Sequence, residues 1–439
     1  MKRLLALAIL LIQCSLHAEN WAHWRGPNFD GSSGEKNLPA DFSKTENVKW
    51  STPLPGPSAA TPIVWGDRVF LSSSDDKTKN LHALCLDRKT GKLLWDQEVG
   101  IGFSQDRMSN FASPSPVTDG KIVVFLYGTG DLAAFDFAGK KLWSRQLEKD
   151  YGQFAYQWTY GASPTLFDGK LYVQVLQRNE PVHGRGAAKS DSYLLALEPQ
   201  TGKEIFRHVR PSEAHMESHE AYSTPIPVEQ NGRVEMLITG GDCISGHNPK
   251  TGEEYWRWGS WNPTRIEHWR LVPSPVAGAG VVLACAPKGS PVFACKAGAK
   301  GNQDDSVLAW KSSEREVSSD VCTPLFYKGR FYILNGDRKT ISRVEPATGK
   351  VEWTGELGTR VKIEASPVGA DDKIYFQNFK GEVFIVAAAD QFKLLKTIPM
   401  GDEGDDQLRA SISVSQGDLF IRTGHHVYCI GTTEKVSAR

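Results

Sequence analysis

The chain has 439 residues, with 51 Lys+Arg against 51 Asp+Glu, 23% charged and 40% hydrophobic side chains. That length exceeds one ordinary domain but suits an architecture that grows by adding units. Balanced charge excludes a polycationic nucleic-acid binder, and the apolar content excludes a disordered chain.

Lys2 and Arg3 precede an uninterrupted apolar stretch, Leu4 to Ile12, too short to span a bilayer. Residues 1–18 therefore read as a signal peptide cleaved after Ala18, with the body periplasmic or secreted. Lipidation at Cys14 is the rival reading, but Gln13 stands where a small residue is needed. No later stretch is apolar enough for a membrane helix, and a monomer is expected. Residues 19–47 form a lead-in, residues 48–432 a repeat region and residues 433–439 a tail.

One pattern recurs through the repeat region: Ser/Thr-Pro, a Gly turn, an apolar strand, a second strand ending in Asp or Glu, then Thr-Gly-x-x-x-Trp. The first copy runs Thr61-Pro62, Gly66, Val69-Phe70-Leu71, Leu84-Cys85-Leu86-Asp87 and Thr90-Gly91 to Trp95. Its leading prolines are Pro62, Pro116, Pro164, Pro225, Pro275, Pro324 and Pro367, spaced as four-stranded propeller blades are. An eighth copy lacks the proline but keeps Ile412-Ser413-Val414, Gly417, Leu419-Phe420-Ile421 and Val427-Tyr428-Cys429-Ile430. It has no outermost strand of its own, whereas Val48-Lys49-Trp50 resembles such a strand and precedes the first copy. The pattern predicts an all-β fold, an eight-bladed β-propeller of four-stranded antiparallel blades, closed by the N-terminal strand completing the last blade. Trp50, Trp95, Trp143, Phe206, Trp256 and Trp353 are expected to stack between blades, since each unit must bury a face on its neighbour. Cys285 and Cys295 flank the turn Pro287-Lys288-Gly289-Ser290 and are a candidate disulfide; the other body cysteines read as small core residues.

With its Leu-x-Leu-Asp…Thr-Gly-Lys-x-x-Trp segments, the chain resembles the pyrroloquinoline-quinone (PQQ) repeat propellers from about Trp50 to Ile430. The lead-in Trp24-Arg25-Gly26-Pro27-Asn28-Phe29-Asp30-Gly31 is most similar to uncharacterised exported, BamB-like members. The resemblance implies one of two activities: dehydrogenases that bind PQQ with calcium or a lanthanide, or non-enzymatic scaffolds such as the lipoprotein that assists outer-membrane barrel assembly. The adjacent cysteine pair of many dehydrogenase members and a Cys-x-x-Cys-His haem motif are both missing.

In a propeller, residues just ahead of the innermost strands sit near the channel mouth. Here they are Asn110, Trp158, Tyr160, His219, Glu220, His268, Arg270, Asp320, Glu364 and Arg409, a polar and aromatic set suited to a ligand funnel or to a solvated, self-paired rim. His215 and His219 lie in a Glu- and His-rich stretch, but their order is not that of a zinc protease and no third metal ligand is evident. Asp402-Glu403-Gly404-Asp405-Asp406 is acidic without the spacing of a calcium loop. The expectation is an exported, non-catalytic binding or scaffold propeller for a protein, peptide or polymer partner in the cell envelope. The alternatives are a quinoprotein-like oxidoreductase using PQQ with calcium, and a hydrolase or lyase using funnel His and acidic groups.

Overall fold

The computed structural model describes residues 19–432 except 231, 314 and 316; the signal-peptide, Cys14 and tail readings fall outside the described residues. Eight antiparallel sheets follow one another around a ring. Blade 1 comprises Ile63–Trp65, Arg68–Ser74, Asn80–Asp87 and Leu93–Ile101. Blades 2 to 7 follow in chain order with their innermost strands at Val117–Thr118, Thr165–Phe167, Ile226–Gln230, Val276–Gly278, Leu325–Tyr327 and Val368–Ala370. Blade 8 takes three strands from Ser413–Ser415, Asp418–Arg422 and His426–Ile430, and its outermost strand is Val48–Pro53 from the other end of the chain. The predicted closure is therefore the observed one. Arg422, fully buried, adds to that seam by donating to the carbonyls of Ser72 in blade 1 and of Gly56 in the connection leading into it.

The repeat's aromatic residue packs on the next blade's turn. Trp50, Trp95, Trp143 and Trp353 each donate their indole N–H to a backbone carbonyl of the following blade, at 2.7, 3.2, 2.8 and 3.0 Å. The Thr-Gly glycine is required beneath this ring: at Gly91 (φ 69°) a Cβ would stand 2.5 Å from Trp50. Phe206 occupies the same place over Gly252 without a hydrogen bond. Trp310 does so in blade 5, donating to Pro346 O, although no Thr-Gly precedes it to mark the position. Trp256 turns its N–H instead to Glu235 of its own blade. Blade 5 has no Thr-Gly turn to meet it; its connection sends Gly301–Asn302 alongside Trp256 and Arg257 as a parallel fifth strand.

The expected Cys285–Cys295 disulfide is absent, and both thiols are free and buried. In the hairpin Cys285 pairs with Val292 and Cys295 with Val282, three positions apart. The period of two then sends the side chains to opposite faces, Cys285 toward blade 6 and Cys295 toward blade 4. Among the described residues no helix is long and apolar enough to cross a membrane.

Trp95 touches Phe70, Phe125 and Phe135 at ring distances of 5.7–6.2 Å. Trp95→Ala should cost about 3–5 kcal/mol in urea unfolding, and Trp353→Ala, whose ring is only half-buried, clearly less.

Candidate functional site

The Ser or Thr ahead of each innermost strand faces the ring's axis. The backbone N–H of Thr61 donates to Ser115 Oγ, Ser115 to Ser163, Ser163 to Thr224, Thr224 to Ser274, Ser274 to Thr323, Thr323 to Ser366 and Ser366 to Ser411, at 2.8–3.2 Å. The eighth link, from Ser411 back to Thr61, is missing, and Thr61 Oγ1 is buried without a partner. Each bonded hydroxyl has accepted an N–H, so its own proton remains to donate, and all of them but Ser274 line the channel.

One end of that channel is closed by the lead-in. Its backbone pairs with blade 1 (Trp21 with Val64) and receives Thr118 N of blade 2 at Ala22 O. It then crosses to the opposite side of the ring, where Phe326 N donates to Asp30 O and Ser33 N to Gly369 O. Arg25, 2% exposed, lies at the crossing and donates to the carbonyls of Pro324, Pro367 and Asp30. Desolvation lowers its pKa to about 10, still charged at neutral pH. The neighbouring Trp24 forms the floor of a funnel of about 230 Å³.

Above the floor come the belt hydroxyls of Ser115, Ser163, Thr224, Thr323, Ser366 and Ser411, then walls of Met108, Trp158, Tyr222, Val272 and Val321, with Arg270, Glu364 and Arg409 at the mouth. Asp320 holds Arg270 through two hydrogen bonds of 2.9 and 3.1 Å. Glu364 accepts from Arg409 Nε and from Lys362 Nζ, 2.8 Å away. The other two Arg409 nitrogens rest on Gln407. Both guanidinium groups are thus fixed in direction before any ligand arrives.

Of the residues the sequence singles out, the structure brings Trp158, Arg270, Glu364 and Arg409 to the funnel, with Asp320 one contact behind. Asn110 turns away to Pro57 O, and Tyr160 lies in the core with its hydroxyl on Gln174 O. His268 is exposed outside the funnel, and among the described residues no histidine lines it. His219 is buried in a single turn, Met216–His219, and burial, followed by His215 and Arg178, pushes its pKa down. Neither His215 nor His219 joins a group of three metal-ligating side chains among the described residues. The group that does form is Asp402, Asp405 and His425, away from the funnel lining. Trp24, Tyr222 and Met108 are funnel residues that the sequence reading missed; Trp24 stood in the lead-in motif, but nothing local says that this segment crosses the axis.

Glu220 sits behind the wall, fully buried. It binds Arg178 and accepts from Tyr222 OH at 2.6 Å and Gln157 N at 3.0 Å. Burial pushes its carboxyl up from 4.5 to about 7, against the pull of these partners.

Fold and site together define a closed eight-bladed propeller with a blind, arginine-rimmed axial funnel. Residues 40–175, 83–314 and 244–438 match the family described as outer membrane protein assembly factor BamB, and the chain belongs to that family of PQQ-repeat propellers. It is 27% identical over 164 residues to a polyvinylalcohol dehydrogenase of Pseudomonas sp, covering 36% of this chain and 24% of that protein. It is 28% identical over 196 residues to the polyvinylalcohol dehydrogenase of Sphingopyxis sp. strain 113P3, covering 43% and 28%. The matches thus span about a quarter of those relatives' length. Among solved structures, BamB from Moraxella catarrhalis superposes with TM-score 0.58 at 13% identity, over 87% of this chain and 99% of that one. Quinohemoprotein alcohol dehydrogenase from Comamonas testosteroni gives 0.62 at 14% identity, over 96% and 82%. At such identities these likenesses speak for the fold alone.

Because the Glu220 pKa is higher folded than unfolded, its contribution to stability is present below pH 4.5 and is lost as pH rises through about 7. The shift is worth about 3 kcal/mol at most. Glu220→Gln should flatten the fall in melting temperature between pH 5 and pH 8, measured by circular dichroism.

Proposed function

We propose that this chain is an exported, quinoprotein-like oxidoreductase whose funnel binds PQQ, or a quinone of the same planar, carboxylate-bearing class. The observation that carries the reading is a pair of pre-oriented arginines, Arg270 and Arg409, above a closed aromatic floor, Trp24. Arg270 and Arg409 would take the carboxylates, Trp24 would lie beneath the ring system, and the belt hydroxyls would donate to ring carbonyls. PQQ, when bound, supplies a two-electron acceptor for an alcohol group. The funnel's residues suit this organic group better than they suit calcium beside it. The nearby carboxylates Glu364 and Asp320 are already held by Lys362 with Arg409 and by Arg270, and would have to give up those partners to ligate a metal. The partial identity to two polyvinylalcohol dehydrogenases supports an oxidative activity.

A second reading, a non-catalytic scaffold for a protein, peptide or polymer partner, draws on Leu93, Leu94, Leu142, Ile205 and Val209. These exposed apolar residues stand on the outermost strands of consecutive blades 1, 2 and 3.

Calorimetry with PQQ, with and without calcium, separates the two. On the quinone reading, binding has a dissociation constant on the order of micromolar, changes little with calcium, and weakens about tenfold in Arg270→Ala and in Arg409→Ala. No heat and no thermal shift would sink it and leave the scaffold.

A further inference from the structure

A ligand resting on Trp24 can be reached from one side only, because the lead-in closes the other. What opens on that side is therefore part of the site. A second cavity, of about 360 Å³, shares Ala59, Met108, Ser109 and Arg409 with the funnel and runs outward from it as a groove. One wall is the connection from blade 1 to blade 2, around Phe103 to Asn110; the other is the connection from blade 7 to blade 8, Gly404 to Arg409, with His425 beyond it.

The walls differ from the funnel in chemistry. Arg107 on one side and Asp406 on the other are exposed and have no partner among the described residues, and the Gln407 amide nitrogen is likewise uncommitted there. Most other polar groups there are spent: Asn110 on Pro57 O, and Asp106 on Met108 N, Ser109 N and Thr159. Phe103 has Lys79 over its face, 4.4 Å from the ring centre, so that face offers no open stacking platform. The groove thus presents free donors and a free acceptor on facing walls, and charges of both signs. A polyanion would meet Asp405 and Asp406, and a polycation Arg107 and Arg409. A neutral chain whose hydroxyls both donate and accept conflicts with neither.

We propose that this groove is a substrate cleft for an extended, neutral, hydroxyl-bearing chain, lying across Arg107, Asp406 and Gln407 and presenting one hydroxyl at the funnel. The assignment of the chain as a substrate rests on the quinone reading of the funnel; its binding in the groove does not. Several units must occupy the groove together, so affinity rises with chain length until the groove is filled and then levels.

The test uses the purified protein and a length series of vinyl alcohol oligomers, followed by saturation-transfer NMR and calorimetry, alongside PQQ. Oligomer affinity should climb with length and level off, and should fall about tenfold in the double variant Arg107→Ala/Asp406→Ala. PQQ affinity should be unchanged in that variant, and its melting temperature should match wild type because both side chains are exposed and unpaired. Affinity that ignores length, or that survives the double substitution, overturns the cleft. Oligomer binding lost in the variant while PQQ fails to bind wild type removes the quinone reading and keeps the groove. PQQ binding with no oligomer binding does the reverse.

Discussion

Everything in this molecule depends on one repeated bond, the backbone N–H ahead of each innermost strand donating to the hydroxyl of the next blade. A ring of sheets has no centre to pack against, so neighbouring blades must be held at their narrow ends as well as across their faces. Seven links of 2.8–3.2 Å do this around the axis. The proline after most of these residues brings no N–H of its own, so it adds no unsatisfied donor where the strands converge. At the broken link between Ser411 and Thr61, other contacts hold the seam: the N-terminal strand in blade 8, and the Arg422 guanidinium on the carbonyls of Ser72 in blade 1 and of Gly56 just ahead of it.

The lead-in turns this scaffold into a site. Narrow-end convergence leaves a polar channel that would otherwise run through the ring, and a channel open at both ends gives a ligand no surface to rest on. By crossing from blades 1 and 2 to blades 6 and 7, residues 21–33 place an indole at the axis and a buried guanidinium beneath it. The charge of Arg25 is tolerable there because three carbonyls accept from it, those of Pro324 and Pro367 where two innermost strands begin and that of Asp30 in the lead-in itself.

How much of this the sequence reveals follows from where the information lies. Blade count, closure and the stacked tryptophans are local and periodic: Thr-Gly with an aromatic four residues on repeats often enough to be read directly. The exceptions are where the period lapses. Trp310 takes the stacking place without its Thr-Gly, and Trp256 loses its partner because the next blade lacks that turn. The disulfide expectation failed on parity, since two cysteines beside one turn can still point to opposite faces. At the site, position relative to the leading proline brought Trp158, Arg270, Glu364 and Arg409 to the funnel, but it could not separate side chains that turn inward from Tyr160, which turns to the core. Trp24 escaped because its role is set by a crossing of the whole ring, for which no local pattern exists.

The two arginines also fix what kind of selectivity the funnel can have. Arg270 spends both terminal nitrogens on Asp320, so an incoming carboxylate must either meet its remaining edge or displace a matched, half-buried ion pair, which is costly. Arg409 differs: Glu364 holds only Nε, while the terminal nitrogens rest on the neutral oxygens of Gln407. Exchanging those for a carboxylate replaces neutral acceptors by a charged one and gains the stronger bond. The funnel is therefore asymmetric, with one arginine ready to exchange and one already satisfied. A singly charged ligand would settle against Arg409. A ligand with carboxylates on two edges of a rigid ring could engage both, because the ring holds the second group against Arg270 without a further loss of freedom. Pre-oriented arginines, a rigid floor and a rigid ligand thus reinforce one another, and a flexible diacid of equal charge would lose that advantage.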